Sequence, residues 1–123
     1  MGPMTAELAD AIESLADTQI LLVALDFDGT MAPLVDKPGD ARSLPASAEL
    51  LEELSALENT VTALISGRDL ASLRAAANPP EQTLLVGSHG TERWAPESFG
   101  IDASHIDLNV EQAAALDHAT AVL

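Results

Sequence analysis

Leu21-Leu22-Val23-Ala24-Leu25-Asp26-Phe27-Asp28-Gly29-Thr30 is the stretch that decides the fold. Its first five residues are apolar without a break, as in a strand buried on both faces of a parallel sheet. Two carboxylates close the run, and a glycine follows at once. Side chains alternate along a strand, so Asp26 and Asp28 are expected on the same side at its carboxyl end. Carboxylates gathered there are costly without a cation or a hydrogen-bonding partner, which marks the place as a candidate site.

On either side of this stretch the pattern alternates. Residues 4–17 read as a packing helix, with Leu8, Ile12 and Leu15 at helical spacing. Residues 26–40 form a loop broken by Pro33, Pro38 and Gly39. Residues 44–57 read as a helix, with Ser43 as its cap, Pro45 in its first turn and Leu50, Leu54 and Leu57 as its buried stripe. Residues 60–65 are rich in β-branched side chains and form a second strand that ends at Ser66-Gly67-Arg68. A helix over residues 69–77, with Leu70 and Leu73 inward, stops at Asn78-Pro79-Pro80. Residues 83–86 make a third strand, ending at Gly87-Ser88-His89-Gly90. A loose stretch follows through Phe99 and Gly100, and residues 110–123 form an Ala-rich helix. Helices alternating with strands imply a parallel sheet with right-handed crossovers. Ligands of such sheets sit outside the carboxyl ends of the strands, where all three polar, glycine-bearing loops converge.

Composition narrows the class. The 123 residues, 47% hydrophobic and 20% charged, suit one modest globular core. Only 2% are aromatic, so that core is mainly aliphatic. A net charge of −15 excludes nonspecific nucleic-acid binding and attraction to an anionic membrane. No apolar run is long enough to span a bilayer. Glu7, Asp10 and Glu13 stand where a signal peptide carries basic residues, so we read the chain as cytoplasmic. With no cysteine, disulfides and thiolate metal sites are out.

Other readings of the acidic stretch are weaker. Asp28-Gly29 is a hairpin turn signal, but Pro33 interrupts the strand that would follow. Counted from Asp26 as a calcium loop, the sixth and twelfth positions hold Met31 and Lys37 instead of Gly and Glu. No Gly-rich run ends in Lys-Ser/Thr as in a nucleotide P-loop. Ser66 could cap the next helix, contact an anion, or both. Arg68 alone reads as a surface ion pair, and His89 alone as a loop hydrogen-bonder. His105 and His118 are read as surface.

Asp-Phe-Asp-Gly-Thr after an apolar strand resembles the first motif of the haloacid dehalogenase (HAD) superfamily of phosphohydrolases, and Ser66-Gly67-Arg68 resembles its second. Together with Ala32-Pro33-Leu34-Val35 and Gly87-Ser88-His89-Gly90-Thr91-Glu92, the match narrows to the trehalose-6-phosphate phosphatases. The resemblance runs over about residues 21–92. It implies an α/β fold, a HAD-like Rossmannoid parallel sheet flanked by helices. It also implies that the sheet is incomplete: an N-terminal helix over 1–19, the first part of the core over 20–108, and over 109–123 only the start of an inserted α/β cap.

The same resemblance implies magnesium-dependent hydrolysis of trehalose 6-phosphate through an aspartyl-phosphate. Asp26 would be the nucleophile and Asp28 the acid/base. Asp26 and the Asp28 carbonyl would hold Mg2+. Gly29, Thr30, Ser66 and Gly67 would bind phosphate, and Arg68, His89, Gly90 and Glu92 the sugar phosphate. The family's later lysine and acidic pair have no counterpart after Glu92, so the chain is expected to be an N-terminal part that is inactive alone. Two other readings stay open. One is another HAD sugar-phosphate phosphatase, of the sucrose- or mannosylglycerate-phosphate type. The other is a non-catalytic remnant that binds a trehalose-phosphate synthase.

Overall fold

The computed structural model describes residues 2–100 and 109–121. In chain order they form α1 (Ala6–Ala16), β1 (Leu21–Asp26), α2 (Pro45–Ser55), β2 (Thr60–Ile65), α3 (Leu70–Ala77), β3 (Leu84–Gly87), β4 (Glu92–Trp94) and α4 (Val110–Ala121). Single 3-10 turns lie at Pro38–Asp40, Ser88–Gly90 and Glu97–Phe99.

The sheet order is β1-β2-β3-β4. β1, β2 and β3 are parallel, and in register Asp26 lies beside Ile65 and Ile65 beside Val86. That register brings three strand ends, and the loops after them, to one edge. The fourth strand corrects the expected loose stretch. Glu92–Trp94 runs antiparallel to β3, with Gly87 opposite Glu92 and Leu85 opposite Trp94. Gly90, at φ 98°, helps reverse the chain between the two.

Helices α2 and α3 press onto one face of the sheet. Leu51 and Leu73 meet Leu64 and Leu85 there, joined by Ala76, Ala77 and the loop residues Phe27, Met31, Ala32 and Ala41. Thr62 and Thr83 are also buried, and their hydroxyls hydrogen-bond each other at 2.9 Å, so neither polar atom is stranded.

This one-sided arrangement overturns three expectations. β1 is not buried on both faces: Leu21, Val23 and Leu25 are half-buried, whereas Leu22, Ala24 and Asp26 are exposed. The buried residue of α2 is Leu51, while Leu50 and Leu57 are 58% and 52% exposed. One residue turns a helix by about 100°, so Leu51 against β2 sends Leu50 outward. No residue of α1 is buried, although Leu8, Ile12 and Leu15 share a side. Its cap is Thr5, whose Oγ1 accepts from the Leu8 N–H at 3.2 Å.

Two caps also differ. α2 starts at Leu44-Pro45 without a side-chain cap, and Ser43 Oγ instead donates to the Ala77 carbonyl at 3.4 Å. α3 is capped by Asp69, which accepts from Ser72 N–H at 2.7 Å, and closes on Asn78 at φ 43° before the two prolines. Ahead of α4, Asn109 and Gln112 hydrogen-bond reciprocally, side chain to backbone. Val110 is 88% exposed, and His118 is also exposed as expected. His105 lies outside the described residues. Among the described residues no helix is long and apolar enough to cross a membrane.

Candidate active site

Asp26 is the last residue of β1 and is exposed. Its Oδ1 accepts from the Phe27 N–H at 2.9 Å, which orients the carboxylate and leaves Oδ2 open. Phe27 is fully buried and anchors the turn beyond. Its carbonyl accepts from the N–H groups of Thr30, Met31 and Ala32 at 3.2, 2.9 and 3.1 Å. The alternation continues past the strand: Asp26 out, Phe27 in, Asp28 half-exposed. The two carboxylates thus both turn away from the core, on either side of buried Phe27.

The turn commits two amides expected at a phosphate. Gly29 N–H donates to the Ala32 carbonyl at 2.8 Å, and Thr30 N–H donates to Phe27. What Gly29 supplies is a left-handed backbone at φ 81°. What Thr30 has left is its exposed hydroxyl.

Arg68 reaches across from the β2–α3 loop. Its Nε donates to Asp28 Oδ2 at 2.8 Å and its Nη2 to Oδ1 at 2.7 Å, a bidentate pair. Nη1 donates to Ser72 Oγ at 3.1 Å. The Phe27 ring lies under the guanidinium, 5.6 Å from ring centre to Cζ. The hydrogen bonds and charge of Arg68 hold the Asp28 carboxyl below the ordinary carboxylate range, against the opposing effect of burial. Asp28 in turn raises Arg68.

The sign of this coupling gives a prediction. The folded pKa of Asp28 lies below its unfolded value, so the pair stabilises above the unfolded value and is lost as pH falls through the folded one. Stability is expected to drop as pH falls below about 4, where an ordinary aspartate begins to protonate. Because Asp28 is 34% exposed, the loss is small, about 1 kcal/mol or less. Urea unfolding of Asp28→Asn should show a flatter dependence between about pH 4 and pH 2 than the unsubstituted chain. Identical slopes would refute the pairing.

Ser66 is buried at the end of β2. Its Oγ accepts from the Arg68 N–H at 3.0 Å, so it braces the loop, and Asp69 does the helix capping considered for Ser66. Among the described residues its hydroxyl donates to no acceptor, so the proton is available to an anion.

The β3–β4 turn is locked onto this loop. Ser88 N–H donates to the Arg68 carbonyl at 2.7 Å and His89 N–H to the Ser66 carbonyl at 3.3 Å. Ser88 and His89 both take positive φ, 47° and 54°, which costs of order 1–2 kcal/mol each and is held only by its surroundings. Glu92 contributes to that hold by accepting from Ser88 Oγ. The imidazole lies over Gly67, where a Cβ would come within 2.5 Å of His89 Cε1. Gly87 is equally confined: a Cβ there would meet the Arg68 carbonyl oxygen at 2.8 Å and Leu70 N at 3.1 Å.

The two glycines should behave differently. Gly67→Ala meets the end of a mobile side chain, so the ring swings away at a cost of about 1 kcal/mol or less. Gly87→Ala meets backbone and is expected to cost about 1–3 kcal/mol. Urea unfolding reads both costs, and the His89 ring proton shifts report whether Gly67→Ala ejects it. A larger loss for Gly67→Ala than for Gly87→Ala would contradict this packing.

One edge thus collects Asp26, Asp28, Ser66, Gly67, Arg68 and His89. Gly90 serves the turn, and the Glu92 carboxylate is engaged by Ser88. The depression in front of Asp28 and Arg68, about 390 Å³ and open, is also lined by Leu34, Val35, Pro38 and Gly67. Sequence reasoning missed Phe27 as the anchor and Pro38 as rim. A fully apolar residue between two acids was the available signal for Phe27.

A family model described as trehalose-phosphatase matches residues 24–119. The chain belongs to the trehalose-phosphatase family. Among members of this family it is similar to the trehalose-phosphate phosphatase of Mycobacterium leprae, 38% identical over 97 residues, which cover 75% of this chain and 22% of that protein. The crystal form 3 structure of Aspergillus fumigatus trehalose-6-phosphate phosphatase superposes with a TM-score of 0.68 at 25% identity, covering 86% of this chain and 38% of that one. The fold alone is also shared with the C. albicans trehalose-6-phosphate phosphatase C-terminal domain, at TM-score 0.73 and 21% identity, over 96% of this chain and 40% of that one. The chain therefore spans about a quarter or less of the length of the curated trehalose-phosphatase relatives and about two fifths of these solved structures.

The residues present suit a hard divalent cation in part. Asp26 Oδ2 is open, and the Asp28 carbonyl accepts no backbone bond among the described residues. Both are oxygen donors of the kind Mg2+ takes, with waters and a phosphate completing its shell. The Asp28 carboxylate itself is committed to Arg68, and among the described residues no three acids or histidines cluster as a complete site.

Proposed function

We propose that this chain carries the nucleophilic half of a magnesium-dependent trehalose-6-phosphate phosphatase site. The observation that carries the reading is the convergence at one sheet edge of an open carboxylate (Asp26), a second carboxylate (Asp28) clamped by Arg68, and a buried hydroxyl (Ser66) with its proton free.

In this reading an Asp26 carboxylate oxygen attacks phosphorus and the bond to the sugar oxygen breaks. An aspartyl-phosphate forms, and Asp28 delivers a proton to the departing sugar. Water then attacks the aspartyl-phosphate, gives its proton to Asp28, and phosphate leaves. Ser66 donates to a phosphoryl oxygen at the head of the β2–α3 loop. Bound Mg2+ would be held by Asp26 and the Asp28 carbonyl, and would supply charge neutralisation at the phosphoryl group. Arg68 adds positive charge beside it. Arg68 holds the Asp28 carboxyl down, and a phosphoryl dianion beside the pair offsets that charge, so the carboxyl takes up a proton more readily.

His89, with its ring over Gly67, faces the same edge and is read as a substrate contact. Glu92 supports it by fixing Ser88. Leu34, Val35 and Pro38 give the depression an apolar rim that suits the ring faces of a sugar.

The test is phosphate release from a panel of trehalose 6-phosphate, sucrose 6-phosphate and mannosylglycerate phosphate, with and without Mg2+. From this half-site alone any release is expected to be slow, to favour trehalose 6-phosphate over the others and to be lost on chelation. Preference for another sugar would move the chain to a different substrate, and release indifferent to Mg2+ would reject the mechanism.

A further inference from the structure

Ser72 is the third partner of the Arg68 guanidinium, and the reaction scheme above makes no use of it. A guanidinium has five N–H groups and two forked edges, one through Nε and Nη2 and one through both Nη nitrogens. In this chain Nε and Nη2 face the two oxygens of Asp28 at 2.8 and 2.7 Å, and Nη1 donates to Ser72 Oγ at 3.1 Å. Three N–H groups are therefore engaged, which leaves one on each Nη nitrogen. Ser72 is itself fixed, because its backbone N–H is the one that Asp69 caps at 2.7 Å. It stands four residues after Arg68, in the first turn of α3. The guanidinium is thus tied at three nitrogens and lies over the Phe27 ring.

We propose that Ser72 is a positioning residue: by holding Nη1 it selects the Nε–Nη2 edge for Asp28 and leaves the remaining Nη protons to an oxyanion. The positioning of Arg68 stands on geometry alone. The oxyanion, a phosphoryl group, rests on the phosphatase reading.

Ser72→Ala removes the hydroxyl and keeps the capped N–H, and alanine is the better helix former, so α3 and the thermal midpoint should persist. The chain has four arginines, few enough to resolve their guanidinium N–H signals by NMR. Exchange of the Arg68 Nη1 protons is expected to accelerate about tenfold or more in Ser72→Ala, because the hydrogen bond lost is theirs. Ser72→Thr should restore slow exchange and Ser72→Val should not, a pair equal in branching that differs only in the hydroxyl. Should Ser72→Ala fail to fold, the Thr and Val pair carries the comparison. Unchanged Arg68 exchange in the folded Ala or Val variant overturns the inference. In parallel, inorganic phosphate is titrated with Mg2+ present. Weaker binding in Ser72→Ala, restored by Thr, supports the oxyanion edge. Equal binding in all variants overturns that half. No phosphate binding even by the unsubstituted chain rejects the phosphatase reading, while the exchange measurement still decides the role of Ser72.

Discussion

Asp26→Asn is expected to lower the slow magnesium-dependent phosphate release that this half-site supports from trehalose 6-phosphate by about 10³-fold or more, because it removes the attacking atom and not an accessory contact. The amide keeps the size of the side chain and can still accept from the Phe27 N–H through its oxygen. Asp26 is exposed and supports no buried contact, so stability should stay within about 0.5 kcal/mol of the unsubstituted chain. A rate loss without a stability loss separates nucleophile from scaffold. Release that survives Asp26→Asn at an undiminished rate would mean that the chemistry sits elsewhere.

Phe27→Ala should produce the largest loss of stability. Phe27 is fully buried, one of only two phenylalanines, and its carbonyl collects three N–H groups of the turn. Emptying such a site costs about 3–5 kcal/mol from lost transfer and the cavity left behind. A small domain has only about 5–15 kcal/mol in total, so much of the chain's stability would go. The ring also underlies Arg68, so the variant should loosen the Asp28 clamp. Urea unfolding measures the first effect. Phe27→Leu, which keeps most of the volume, should recover a large part of it. A cost below about 1 kcal/mol for Phe27→Ala would show that the turn is not anchored there.

The parts of the site that could be read from sequence are those set by local pattern. Asp26 and Asp28 lie on one side because they flank a single residue at a strand end. The three strand ends meet because continuous apolar runs alternate with helices. β4 was not legible, since Glu92-Arg93-Trp94 is short and carries two charges. Its strand state comes from pairing with β3 across a turn in left-handed backbone, which tertiary structure imposes over propensity. The phase of α2 was ambiguous for a similar reason: Leu50 and Leu51 both belong to plausible stripes, and only the docking against β2 selects Leu51. β1 looked doubly buried because its sequence is apolar on both sides, yet in this chain α2 and α3 cover one face only.

The Arg68–Asp28 pair joins residues forty positions apart, and the parallel register of β1 and β2 creates it. No spacing rule in the sequence announces it. The steric interlock of Gly67 with His89 and of Gly87 with Arg68 is likewise invisible until the loops are in place. In sequence Gly67 reads as a phosphate contact by resemblance, and Gly87 as the end of a strand. In the fold they are the places where one loop fits against another.

Mass spectrometry of the chain, quenched in acid after incubation with Mg2+ and either trehalose 6-phosphate or a small activated donor such as acetyl phosphate, asks whether Asp26 is the nucleophile. One phosphoryl group is expected, localised by fragmentation to Asp26 and missing from Asp26→Asn. A phosphoryl group on another residue, or the same adduct in Asp26→Asn, would contradict it.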